Sequence, residues 1–214
     1  MGRIALTPLI AWLPFTTSWS ARLFAFVLFL VAAITDYWDG HLARSRNLVT
    51  DLGRLLDPLA DKLLLLATLI PMYFLQRHQA FVVEHGGEAS PFLFEMPFGK
   101  VSLPLWIVLV VLGREAFMTV FRQVAARRGL VIAAIGPAKW KTTFQSIWLG
   151  AAYFWFFAST LAEQRQWNGA SEWQAFALFN GFVGVISMTA AVALTLYSLW
   201  LYLRRYGGQV LRAA

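Results

Sequence analysis

Long apolar runs set the limits on what this 214-residue chain can fold into. Five stretches, Ala21–Arg44, Leu52–Leu75, Leu103–Arg122, Thr142–Leu161 and Trp173–Leu203, are long and poor in charge. A bilayer core is crossed by about 20 apolar residues in helical form. A backbone without water must satisfy its own hydrogen bonds, so each run is read as a helix. A sixth run, Ile4–Phe15, is short. The expectation is an all-α protein, an integral membrane bundle of six transmembrane helices in a single domain over residues 1–214. Composition excludes the alternatives. The chain is 59% hydrophobic and 14% charged, where soluble domains sit near about 45–50% and about 25%. It has no cysteine, which removes disulfides, thiolate metal sites and cysteine nucleophiles.

The opening residues, Met1–Arg3 before an apolar stretch, resemble the first two regions of a secretory signal. No Ala-x-Ala site follows and Pro14 closes the run early. The segment is read as a short first span, or as one whose beginning lies upstream of Met1.

Eighteen Lys and Arg against eleven Asp and Glu give a net charge of +7. Such a balance suits nucleic acid or an anionic membrane surface, and the hydropathy selects the membrane, with no nucleic acid. With the N-terminus inside and six spans, thirteen cations fall on the inner side and four on the outer, with Lys62 at an inner span end. The excess places both termini in the cytoplasm. The longest outer loop is expected over about Gln76–Lys100. Its His78 and His85 lack partner cysteines and helical spacing, so they are read as solvated rather than as metal ligands. Trp167 and Trp173 read as interfacial anchors.

All five aspartates, Asp36, Asp39, Asp51, Asp57 and Asp61, lie within 26 residues of this apolar chain. An intramembrane carboxylate is costly and needs a partner or a task. Asp36 and Asp39 are spaced i, i+3, and Gly53, Asp57 and Asp61 are spaced i, i+4, i+8, so each set lies on one helix face. The short polar linker Ser45–Leu52 makes the two helices an antiparallel hairpin and gathers four carboxylates at the cytoplasmic surface. Asp51 falls in the linker as a solvated or capping residue. Four aspartates together cannot all ionise unpaired. An oxygen-only set points to hard cations, Mg²⁺ or else Mn²⁺ or Ca²⁺. Four carboxylates have the capacity for two ions about 3.5–4 Å apart, as in phosphoryl transfer. Gly40 and Gly53 leave space beside the cluster, and Arg44 is placed to hold a phosphate. A single aspartate pair would instead suggest a proton or ion relay in a transporter.

In order, the residues read Asp36-x-x-Asp39-Gly40-x-x-Ala43-Arg44, eight residues, Gly53-x-x-x-Asp57-x-x-x-Asp61. This pattern resembles the signature of the CDP-alcohol phosphatidyltransferase family at all eight fixed positions. The resemblance implies a six-helix membrane enzyme, a homodimer, using divalent metal (two ions of Mg²⁺ or Mn²⁺) to displace CMP from a CDP-linked lipid with an alcohol. It implies Asp36, Asp39 and Asp57 as metal ligands, and Asp61 as general base that also lies near metal. Asp36, Asp39, Gly40, Ala43, Arg44 and Gly53 would form the CDP-lipid site. Chemically, a neutral alcohol is a poor nucleophile and needs a carboxylate to accept its proton.

The acceptor is sought in the later basic segments. Gly113-Arg114-Glu115 lies in the inner half of the fourth span, with Arg122 eight residues on. Gly136-Pro137-Ala138-Lys139-Trp140-Lys141-Thr142-Thr143-x-Gln145 opens the fifth span. Arg114, Arg122, Lys139 and Lys141 suit an acceptor that carries a phosphate. Arg114 beside Glu115 is either a structural ion pair or part of a site. The other inner arginines read as orientation signals. Across most of the chain the sequence looks like the bacterial phosphatidylglycerophosphate synthase branch of the family, which implies CDP-diacylglycerol and sn-glycerol 3-phosphate as substrates and the bacterial cytoplasmic membrane as location. Two departures stand out: the branch's N-terminal stretch is represented only from about Arg3, and Pro137-Ala138 stands where Gly-Lys is common. The alternatives are the same chemistry on phosphatidylglycerol, giving cardiolipin, or on inositol phosphate, and, in another class, an ion- or proton-coupled transporter.

Overall fold

The computed structural model describes the backbone of residues 2–45, 51–84, 92–133 and 135–212, with their side chains except at 2–3, 36–37, 39–45, 51–58, 78–84 and 211–212. Helix α1 (Gly2–Trp12) tightens into a 3-10 turn, Leu13–Phe15. Then come α2 (Trp19–Ser45), α3 (Asp51–Glu84), the strands β1 (Phe94–Met96) and β2 (Gly99–Val101), α4 (Leu105–Arg127), α5 (Gly136–Gln164), α6 (Ser171–Tyr202) and the short α7 (Gly208–Arg212). Each apolar run read from the sequence as a span is helical over nearly its whole length.

Local chemistry sets several boundaries. Pro104 precedes α4, and Pro137 stands in the first turn of α5, where the missing N–H costs nothing. Gly129 closes α4 in the left-handed region (φ 73°). Its N–H reaches the Ala126 carbonyl at 3.0 Å and that of Leu130 reaches Ala125 at 2.9 Å. These are the two bonds of a Schellman cap.

Helix α5 is the centre of the bundle, packing broadly on α6 and on α2, while α1 lies mainly on α3. Trp148, Tyr153 and Phe156 of α5 are almost completely buried, and join Phe29 of α2, Leu69 of α3 and Val111 of α4 in one core. Tyr153 donates its hydroxyl to the Ile10 carbonyl at 3.1 Å and the Ala67 carbonyl at 3.0 Å. Both acceptors have a proline four residues on, Pro14 and Pro71. Proline has no N–H, so neither carbonyl can receive its helical bond. The tyrosine supplies what the two prolines withhold, which is how proline is tolerated at membrane depth.

The loop expected over Gln76–Lys100 is different in structure. Helix α3 runs on to Glu84, so His78 is helical, and a two-stranded hairpin follows; His85 lies outside the described residues. The strands pair Phe94 with Val101, Glu95 with Lys100 and Met96 with Gly99. The polar residues that suggested a loop are used internally. Gln76 is fully buried; its amide donates to the Phe92 carbonyl at 3.1 Å and accepts the Leu103 N–H at 2.9 Å, clamping both ends of the hairpin segment. Trp155 donates to the Leu93 carbonyl at 3.1 Å. On α6, a β-carbon at Gly181 would strike the Glu95 backbone and one at Gly184 the Phe94 ring, so these two glycines form the seat on which the hairpin rests. Arg22 completes this end, donating to the Pro14 carbonyl at 3.1 Å and to Thr160, with its guanidinium 4.4 Å from the Phe92 ring centre. Trp173 stacks on Trp155 at 5.3 Å, while Trp167 is about half exposed.

By length and composition, Leu59–Arg77 within α3 and Ser171–Val210 are long and apolar enough to cross a membrane. The apolar run of α4 is broken by Arg114, Glu115 and Arg122. The bundle surface exposes large apolar side chains such as Phe24, Ile34, Phe74, Leu109, Phe179 and Ile186. A surface of that kind marks contact with a membrane or a partner.

Candidate active site

The eight motif positions lie on two helices. Asp36, Asp39, Gly40, Ala43 and Arg44 are in the last turns of α2, and Gly53, Asp57 and Asp61 in the first turns of α3. Asp51 is the first residue of α3, a position where a carboxylate meets the helix dipole favourably. The side chains of the eight, Asp61 excepted, lie outside the described residues. No cluster of three or more metal-ligating side chains occurs among the described residues. The donor set fits a hard cation by its chemistry, since every candidate ligand is a carboxylate oxygen.

Asp61 is exposed and opens onto a cavity of about 170 Å³. One wall comes from α2 and α3, with Ala33, Asp61, Lys62 and Thr68. The other comes from α4 and α5, with Glu115, Lys141, Thr142 and Gln145. The α5 positions repeat at i, i+1, i+4, so one face of its first turns is turned to the cavity.

Glu115 is the junction of the far wall. Its Oε1 receives Arg114 Nη1 at 2.8 Å and Lys141 Nζ at 2.5 Å. Lys141 is 4% exposed and Arg114 8%, so both cations are buried. Arg114 and Lys141 share the Glu115 carboxylate, so this triad alone carries one net positive charge, with Asp61 and Lys62 lining the same cavity. Arg114 also donates from Nη2 to Ser198 Oγ of α6 at 3.1 Å. Its Nε has no partner among the described residues.

The four basic residues singled out in the sequence therefore occupy different surroundings. Lys141 lines the cavity with Asp61. Arg114 touches the same glutamate but turns its other nitrogen to α6. Arg122 donates to the Tyr202 hydroxyl at 3.3 Å, with its guanidinium 5.6 Å from that ring. Lys139 is exposed and is not among the cavity residues. Sequence reading placed Gln145 at the end of the basic segment without giving it a role, and did not single out Ser198 or Tyr202. Gln145 had a local signal, four residues after Lys141. Ser198 and Tyr202 share a face of α6, but nothing local says that this face meets α4.

An apolar groove of about 430 Å³ adjoins the polar cavity and shares Phe29, Ala33 and Ser146 with it. It runs between α2, α5 and α6, past Phe26, Phe154 and Phe179.

A family model described as CDP-alcohol phosphatidyltransferase matches residues 1–197. The chain is 38% identical over 131 residues to a CDP-diacylglycerol–glycerol-3-phosphate 3-phosphatidyltransferase of Bacillus subtilis (strain 168), covering 61% of this chain and 55% of that one. It is 33% identical over 131 residues to a probable phosphatidylglycerophosphate synthase of Mycobacterium tuberculosis, covering 61% and 50%. A cardiolipin synthase (CMP-forming) of Streptomyces coelicolor is 32% identical over 137 residues, covering 60% and 50%. The chain thus spans about half the length of the curated relatives it matches.

Proposed function

The chain belongs to the CDP-alcohol phosphatidyltransferase family, and from that premise we propose that it transfers the phosphatidyl group of CDP-diacylglycerol to sn-glycerol 3-phosphate, releasing CMP and forming phosphatidylglycerophosphate. The observation that carries the reading is the shared cavity: the last aspartate of the motif and the Lys141–Glu115 pair line one space, a proton acceptor opposite a surplus cation. Relatives whose names specify glycerol 3-phosphate support that acceptor.

Asp36, Asp39, Asp57 and Asp61 would hold two divalent ions, Mg²⁺ or Mn²⁺. When bound, such ions neutralise pyrophosphate oxygens and favour departure of CMP. Gly40, Ala43, Arg44 and Gly53 bound the nucleotide end, and the adjoining apolar groove suits an acyl chain. The remaining steps belong to protein side chains. Lys141, steadied by Glu115, draws in the acceptor's phosphate, with Arg114, Arg122 and Lys139 supplying the surrounding positive field. Asp61 accepts the proton from the attacking hydroxyl. The oxygen then bonds to the β-phosphorus as the bond to CMP breaks.

In the bilayer, α1 to α6 are the six spans, with both termini and the cavity facing the cytoplasm of a bacterial cell, and the enzyme is a homodimer. The excess of inner cations and the apolar exterior support this placement.

The test is CMP release from CDP-diacylglycerol by purified protein with Mg²⁺ and a panel of acceptors. Glycerol 3-phosphate is expected to be preferred. Release with phosphatidylglycerol or inositol phosphate instead would move the acceptor assignment, and absence of CMP with every acceptor would overturn the enzyme reading in favour of a transporter. Asp61→Asn is expected to lower turnover by about 10²–10⁴-fold while CDP-lipid binding persists; a near-normal rate would remove Asp61 as the base.

A further inference from the structure

We propose that Gln145 is the residue by which this site recognises the non-reacting hydroxyl of its polyol phosphate acceptor, a specificity that deepens the phosphatidyl-transfer reading and rests on it. Gln145 lines the cavity on the same face of α5 as Lys141, one helical turn further on. It is 8% exposed, and its Oε1 has no hydrogen-bond partner among the described residues. A buried carbonyl without a partner is costly, and buried polar atoms in native proteins are almost always paired. On a side chain that lines a cavity, such an atom becomes an acceptor for a ligand's donor once the amide turns it toward the space.

The surroundings identify the donor. Lys141 beside it offers positive charge, so the ligand brings an anion to that end. Four residues along a helix advance about 6 Å. That is the reach from a phosphate to a hydroxyl on a three-carbon chain, too long for a single inorganic ion. A methyl group would leave Oε1 unpaired. A hydroxyl supplies the donor that Oε1 lacks. Its neighbour on the same carbon chain is then directed across the cavity to Asp61. Three points, Lys141 for the phosphate, Gln145 for the central hydroxyl and Asp61 for the terminal one, select glycerol 3-phosphate from acceptors that carry a phosphate alone.

The discriminating probe is 3-hydroxypropyl phosphate, which keeps the phosphate and the terminal hydroxyl and lacks only the central one. A site built to bond a hydroxyl rejects the analogue that lacks it, because its own polar group is then left unpaired. Wild-type protein is expected to favour glycerol 3-phosphate in kcat/KM by about tenfold or more. Gln145→Leu should bring the two acceptors to within about twofold by lowering only the rate with glycerol 3-phosphate. Gln145→Glu keeps an acceptor oxygen in place and should keep the preference. Wild type that turns over both acceptors equally, or Gln145→Leu that retains the full preference, overturns the assignment. An equal fall with both acceptors in Gln145→Leu does so as well, since it would make the residue purely structural. If wild type releases no CMP with glycerol 3-phosphate, it is the phosphatidyl-transfer reading itself that fails.

Discussion

Two buried glutamines at opposite ends of the bundle show how the molecule divides its tasks. Gln76, at the hairpin end, spends both halves of its amide on the backbone, at Phe92 and Leu103. Gln145, at the carboxylate end, keeps its carbonyl oxygen unpaired beside an open cavity. The pattern extends to their neighbours. Around Gln76, Arg22 and Trp155 are both bonded to backbone carbonyls, and two glycines of α6 receive the strand. Near Gln145, Arg114 and Lys141 share a single carboxylate, and Arg114 Nε is also without a partner among the described residues. Bonding is filled at Gln76 and unfilled at Gln145, although Trp148 Nε1 in the core and Asn180 Nδ2 beside Gly181 are also without a partner among the described residues.

Replacing both glutamines by leucine breaks the comparison most directly. Gln76→Leu orphans a buried carbonyl and a buried N–H, at about 2 kcal/mol each and so about 4 kcal/mol in all. The unfolding midpoint in detergent should fall sharply while kcat per folded molecule stays unchanged. Gln145→Leu removes a costly unpaired oxygen and should leave that midpoint where it was or raise it. Equal losses in the two variants would show that the ends are not different in kind. Glu115→Gln tests the boundary, because this residue both organises the site and neutralises it. Leaving Arg114 and Lys141 together without an opposite charge should cost about 3 kcal/mol and raise the acceptor KM. A lower midpoint with an unchanged KM would make the triad purely structural. The smallest effect is expected from Tyr153→Phe, which removes one shared hydroxyl. Both the Ile10 and Ala67 carbonyls lose their share of a donor, so about 2 kcal/mol should be lost, with acceptor kinetics untouched.

Much of the frame was legible in the sequence because membrane-length apolar runs admit few alternatives. The six runs became helices, and the motif fell in the last turns of α2 and the first turns of α3. The hairpin was not legible. Its Pro97-Phe98 turn is not one of the usual two-residue turn sequences, and what holds it, Gly181 and Gly184, comes some eighty residues later. Gln76, Arg77 and His78 read as a loop because polar residues in series usually face water, whereas Gln76 is spent on the chain that follows. For the site, the aspartate spacing and the Lys139–Gln145 stretch were visible as local patterns. The joining of Lys141 to Glu115, and of Arg114 to Ser198, depends on how three helices pack, which periodicity does not encode.

The shared hydroxyl of Tyr153 also makes two attachments interdependent. One proton serves two carbonyls, so neither receives a full bond while both are present. If either α1 or α3 moved away, the proton would pass wholly to the carbonyl that remained. Losing one contact would thus strengthen the other, and α1 and α3 are held to α5 as alternatives rather than as independent anchors.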